Sequence, residues 1–168
     1  EKKSIHYGLT FAMAPMQDND PKDVASLTCD RVGDQTLERP YKGDCNPQVG
    51  DTSCRMVLPV VCFKPGSHER PAPLSGHGWS RGDLAASQAV MGAQLDSELQ
   101  GDAMCKREFG MEWRMAAFAD GRNYMDTPQY DHLERGDHWG LQGKLGPGLG
   151  GFGRYWVKSS EQSANCWD

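Results

Sequence analysis

Residues equipped for chemistry cluster in a few short stretches of this chain. The densest runs from 120 to 137, where Asp120, Asn123, Asp126, Asp131, Glu134 and Asp137 offer the oxygen ligands that calcium takes six to eight at a time. Their spacing is not that of an EF-hand, and acidic side chains in a polar loop are ordinarily solvated. No cofactor is expected, with calcium at this loop as the alternative. Two Asp-His pairs, Asp131-His132 and Asp137-His138, fall in the same stretch. Neighbours along a strand point to opposite faces, so each pair reads as two surface side chains, not as an acid/base or metal pair.

The other candidates are weaker. Arg-Gly-Asp occurs at 81–83 and again at 135–137, a three-residue match that a chain rich in Gly, Arg and Asp produces by chance. Gly66-Ser67-His68-Glu69 has the letters of a nucleophile and base, but neither the Gly-x-Ser-x-Gly nor the His-Glu-x-x-His spacing, and its Pro-rich surroundings read as a loop. The run Gly146 to Gly153 lacks the Lys-Ser/Thr of a phosphate loop and reads as a flexible turn. Among the aromatics, Trp113, Trp139 and Trp156 sit in apolar stretches and are expected in the core. Trp79, between His77-Gly78 and Ser80-Arg81, is expected nearer the surface as a ligand contact. The candidate ligand-binding residues are therefore Trp79, Asp126, Asp131, Glu134 and Asp137. No catalytic set emerges.

Six cysteines, Cys29, Cys45, Cys54, Cys62, Cys105 and Cys166, are all expected in disulfides, since no Cys-x-x-Cys pair or finger-like His spacing favours zinc. Fifteen pairings are open. On one extended strand Cys54 and Cys62 would stand roughly 26 Å apart, which excludes a bridge between them. Cys45 with Cys54 and Cys29 with Cys62 is one arrangement. Cys105 with Cys166 is the firmer expectation, because these are the two cysteines of the C-terminal half and each lies near an aromatic, Phe109 or Trp167.

The elements that must position these residues follow from periodicity. Ser4 to Met13 alternates, with Ile5, Tyr7, Leu9, Phe11 and Met13 on one face, and predicts a one-sided edge strand ended by Pro15 and the acidic turn beyond it. Such a terminal strand could instead be donated to a neighbour, giving self-assembly through residues 2–13. Residues 22–63 form a cysteine-clamped segment whose last part, Cys54 to Phe63, predicts a buried strand with Pro59 at an edge or bulge. Lys64 to Gly82 has turn chemistry and predicts a long surface connection, and Leu84 to Leu95 is ambiguous between strand and helix. Ser97-Glu98-Leu99-Gln100 has the form of a capping box, so a helix is expected from there to Phe109, stopped by Gly110. Short strands are expected at His138 to Gln142 and Arg154 to Lys158, joined by the Gly-rich turn.

Composition bounds the whole. A chain of 168 residues with 38% apolar residues, 20 Gly and 10 Pro predicts one loop-rich domain, residues 1–168, with no repeat or second core. A net charge of -5 with both signs interspersed offers no face for nucleic acid, and no run is long and apolar enough to span a membrane. The cysteine count and a start at Glu1 are what a mature secreted protein presents, in an extracellular or periplasmic setting.

The C-terminal residues 95–168 also carry an ordered pattern: a helix with Ala103 and Cys105, then His138-Trp139-Gly140-Leu141, Tyr155-Trp156-Val157 and Ala164-Asn165-Cys166-Trp167. This resembles the C-type-lectin-like domains, although their calcium- and sugar-holding tripeptides are absent here. The resemblance implies an α+β fold, a small disulfide-stapled domain with short antiparallel strands and one or two helices. The expected function is a secreted binding or adhesion module for a glycan or protein ligand, without catalysis. The alternative is a structural subunit of an extracellular assembly linked by its N-terminal strand.

Overall fold

A computed structural model of the chain describes residues 6–14, 18–28, 50, 52–72, 74, 78–122, 140–150, 153–159 and 165–168. Nine strands and one α-helix appear among them. The N-terminal half contributes β1 (Tyr7–Gly8), β2 (Thr10–Met13), β3 (Val24–Thr28), β4 (Thr52–Ser53), β5 (Val57–Lys64) and β6 (Trp79–Met91). Helix α1 (Glu98–Phe109) follows, then β7 (Arg114–Met115), β8 (Gly140–Leu145) and β9 (Arg154–Trp156).

Six strands close into a barrel in the order β6-β8-β3-β2-β9-β5, with β5 returning to β6. The β6–β8 and β5–β9 contacts are parallel and the others antiparallel. β7 adds outside β5, and β1 with β4 makes a separate two-stranded ladder. This mostly β barrel overturns the expected α+β, lectin-like fold. Helix α1 is present, and Gly140-Leu141 and Tyr155-Trp156 lie on β8 and β9, but those strands belong to a closed barrel that also takes in β2, β3, β5 and β6.

Period-two alternation explains the two cores. On β5, Val61 and Phe63 point into the barrel with Leu9, Phe11, Leu27, Leu84, Leu141 and Tyr155. Leu58, Val60 and Cys62 point outward and are buried against Leu95, Cys105, Met115 and Trp156 beside α1. A strand buried on both faces reads as a continuous apolar run, which is how residues 57–63 look in the sequence. Pro59 stands where the β5–β6 register shifts, at the expected bulge.

The N-terminal strand is not an edge. β2 lies between β3 and β9, and Thr10 and Ala12 are as buried as Leu9 and Phe11. Thr10 is satisfied there by hydrogen bonds from the buried Arg154, whose Nε lies 2.6 Å from the Thr10 hydroxyl. Residues 1–5 lie outside the described residues.

Helix α1 begins as expected. The Ser97 hydroxyl accepts from the Gln100 amide at 3.3 Å, and the Gln100 side chain accepts from the Asp96 amide at 2.7 Å. Gly110 ends it with φ +126°. Its buried face is Gly101 and Cys105, whereas Leu99 is 78% exposed. Lys158, buried beyond β9, meets Glu98 and Asp102 at 3.2 Å each and fastens the helix to the barrel.

Two disulfides are described, Cys54–Cys166 and Cys62–Cys105. They correct the expected Cys105–Cys166 bridge, and with it the Cys45–Cys54 and Cys29–Cys62 arrangement. The barrel carries β5 beneath α1, so Cys62 is the neighbour of Cys105, and the chain end reaches the turn after β4. Cys29 and Cys45 lie outside the described residues. The disulfides match an oxidising, extracellular-type environment, and no helix among the described residues is long and apolar enough to cross a membrane.

Candidate functional site

Of the expected ligand residues, Trp79 alone falls among the described residues. Asp126, Asp131, Glu134 and Asp137, both Asp-His pairs, Trp139 and the second Arg-Gly-Asp lie outside the described residues. Asp120 is buried and committed: it takes two hydrogen bonds from the Arg114 guanidinium, at 2.8 and 3.0 Å, and one from the Ala117 amide at 2.7 Å. Burial alone would lower the Arg114 pKa, but the hydrogen bond and charge of Asp120 outweigh it and hold the guanidinium above its ordinary value. Trp79 is completely buried, a correction to its expected exposure. It faces out from the barrel, but the segment before it folds back as a cover. Its Nε1 donates to the His68 carbonyl at 2.9 Å, and its ring packs with Val24 and Leu74.

That cover brings together residues far apart in the sequence. β6 and β8 run out of step near their start. Trp79 faces Gln142 and Asp83 faces Lys144, so four steps along β6 match two along β8. Inside this bulge Arg81 has φ +72°, the one non-glycine residue with positive φ among the described residues. At Gly82 a Cβ would stand 2.3 Å from the Lys64 carbonyl oxygen and 2.6 Å from the Phe63 ring, so only glycine fits. A bulge re-aims the side chain that follows it. Here that side chain is Asp83, and its Arg-Gly-Asp context is part of a packed strand instead of an exposed loop.

Asp83 is opposite Lys64 on β5 and Lys144 on β8, so all three side chains share the outer face of the barrel. Lys64 Nζ lies 3.9 Å from Asp83 and 3.9 Å from Glu112, and His68 Nε2 lies 3.3 Å from Asp83. At the other end Lys144 Nζ meets Asp23, just before β3, at 2.8 Å. The Lys144 hydrogen bond, reinforced by its charge, holds the Asp23 carboxyl below the usual aspartate value. The result is a row of alternating charge, Glu112, Lys64, Asp83, Lys144 and Asp23, crossing β5, β6 and β8 to the start of β3. Beside its Asp23 end opens a cavity of about 280 Å³, lined by the apolar Met13, Val24, Leu145 and Leu149 together with Asp20 and Lys22.

His68 stands over the middle of this row. Its amide donates to the Arg81 carbonyl at 2.9 Å and its carbonyl accepts from Trp79, so its backbone is pinned at both ends, while its side chain remains 41% exposed. Sequence reasoning reached His68 and Asp83 only inside two dismissed phrases, Gly-Ser-His-Glu and Arg-Gly-Asp. A signal joining them would have required the β5–β6 register, which sets Lys64 against Asp83 and leaves the residues just past Lys64 to fold over it. Among the described residues no group of His, Cys, Asp and Glu has the geometry to hold a metal ion. Comparison of the chain with protein-family models, with curated proteins and with solved structures found no match, so no relative identifies a lectin-like domain or any other family.

Proposed function

We propose that this protein is a secreted binding module, and that its ligand lies across the outer face of β5, β6 and β8 along the row from Glu112 to Asp23. The observation that supports this most directly is the alternation of acid and base at register-matched positions of neighbouring strands. It gives a polar, partly exposed surface held by backbone pairing instead of by mobile loops. At about 4.8 Å per strand the row extends roughly 14 Å. That suits several units of an extended glycan or polypeptide, with the cavity beside Asp23 available to an apolar group at one end.

The alternative, assembly through a donated N-terminal strand, would require β2 to leave its place between β3 and β9 and expose Leu9 and Phe11. Nothing in the described residues favours it. A glycan and peptide array probed with the oxidised protein tests the binding reading. It expects hits that weaken with added salt, as partly exposed charged contacts do. Absence of any hit across both panels counts against it.

A further inference from the structure

We infer that the cavity at the end of the barrel is a binding site for a small, uncharged, mainly hydrocarbon molecule of about two rings. It opens where β2 and β8 stop and β3 and β9 begin. Alternation carries the inner face of the barrel to this point. Met13 stands two residues beyond Phe11, and Leu145 four beyond Leu141, the even spacings that keep side chains on the inward face. Phe11 and Leu141 are fully buried, yet Leu145 is 42% exposed. The apolar interior therefore reaches the surface here. Leu149 and Met13, both packed against the inner core, and Pro21 extend the apolar wall.

The walls are held in place by the fold itself. On one side the Leu145 amide donates to the Asp23 carbonyl at 2.9 Å and the Ala14 amide to the Ser26 carbonyl at 2.8 Å, which fixes the strand ends. On the other side the turn after β8 is held twice. The Ala86 amide donates to the Pro147 carbonyl at 2.9 Å, and the hydroxyl of the buried Tyr155 donates to the Gly150 carbonyl at 2.8 Å and accepts from its amide at 3.2 Å. A preformed, mostly apolar hollow with few polar groups, in the mouth of a barrel, is a common form of small-molecule site. Size and lining choose the ligand. An apolar cavity of about 150 Å³ holds benzene, so one of about 280 Å³ has room for a second ring or an equivalent aliphatic length. Asp20 is a buried polar side chain of the lining. Its carboxylate accepts hydrogen bonds and repels an anion, and an ion of either sign would lose hydration among the apolar walls. A neutral hydrocarbon with one N–H or O–H donor meets both conditions.

The ligand used to test this is 1-aminonaphthalene, two fused rings with an amine that is uncharged at neutral pH and an emission that brightens in apolar surroundings. Fluorescence titration of the oxidised protein is expected to show one saturable site per chain, with a Kd of about 0.1 mM or lower. 1-Naphthoate, the same rings with a carboxylate, is expected to compete at least about 10-fold more weakly. Leu145→Trp, which fills the opening, is expected to weaken binding of the amine by about 10-fold or more. Should it fail to fold by circular dichroism, Leu145→Gln replaces it, with an expected loss of about 5-fold from the missing apolar contact. Leu99 and Met111, on α1 and just after it, are 78% and 79% exposed, and the double variant Leu99→Ser, Met111→Ser is expected to bind as the wild type does. Absence of saturable binding, unchanged affinity in the folded Leu145 variant, or loss of binding in the double variant overturns the site. Naphthoate binding as tightly as the amine overturns the ligand class. Lys64→Met is expected to leave the amine's affinity unchanged, so failure here and silence of the glycan and peptide arrays are separate results.

Discussion

At the scale of single residues, placement here is decided by a few backbone contacts. Asp83 reaches the outer face because Gly82 lets β6 pass within contact of the Lys64 carbonyl and the Phe63 ring. Gly82→Ala would put a methyl group where a backbone oxygen and a core ring already stand. It is expected to cost about 2–3 kcal/mol, or roughly 4–12 °C in Tm, by overpacking. A thermal melt checks this, and an unchanged Tm would show that β6 can move away at no cost. The same stretch explains why the burial of Trp79 is not legible in the sequence. In the sequence its neighbours His77, Gly78, Ser80 and Arg81 are the polar company of a surface residue, and it is the return of His68 and Leu74 over it that covers the ring. A cover made by a segment without regular structure leaves no periodic trace in the sequence.

At the scale of elements, local signals are legible in the sequence and tertiary ones are not. Helix α1 was legible because its cap is local: Ser97 and Gln100 satisfy each end of the first turn, and Gly110 stops the last. Its orientation was not legible, since the face that packs is Gly101 and Cys105 while Leu99 points into solvent. Ser97→Ala is therefore expected to destabilise the protein by about 1 kcal/mol, and Leu99→Ala to change stability by less than about 0.5 kcal/mol. Urea unfolding of both variants measures the contrast, and a larger loss from Leu99→Ala would mean that the helix packs on its other face. In the sequence β6 divides between a loop and an ambiguous stretch, because its Gly, Ala and Ser residues have weak strand preference. Its pairings with β5 and β8, both distant in sequence, make it a strand. The alternation of β2 marks a strand but suggests an edge, because it reports one buried face and cannot report that Thr10 on the other face meets Arg154.

At the scale of the whole molecule, closure of the barrel is the feature the sequence hid, since six strands and two parallel contacts leave no continuous motif. The lectin-like ordering of the C-terminal residues followed real elements, α1 and the strands at 140–145 and 154–156, but their partners are N-terminal strands. Closure also sets the cross-links. Cys54–Cys166 spans 112 residues and Cys62–Cys105 spans 43, separations that in the entropic account constrain the unfolded chain by about 4–5 kcal/mol each. Non-reducing peptide mapping is expected to recover these two bridges, and reduction to lower Tm. Recovery of a Cys105–Cys166 peptide, or coincident melts, would contradict the arrangement. The bridges hold α1 and Cys166 against the barrel wall, away from the partly exposed side chains of Lys64, Asp83 and Lys144.

The most direct test of a ligand lying across that face is the affinity of an array-identified ligand for the wild-type protein and for the double variant Lys64→Met, Lys144→Met. Both side chains are about one-third exposed and belong to neither core, so the variant should keep its fold and its disulfides. Loss of two charged contacts, at roughly 1 kcal/mol or more each, is expected to weaken binding by at least about 10-fold. Equal affinity in the two proteins would place the ligand elsewhere on the molecule and contradict the assignment of this face.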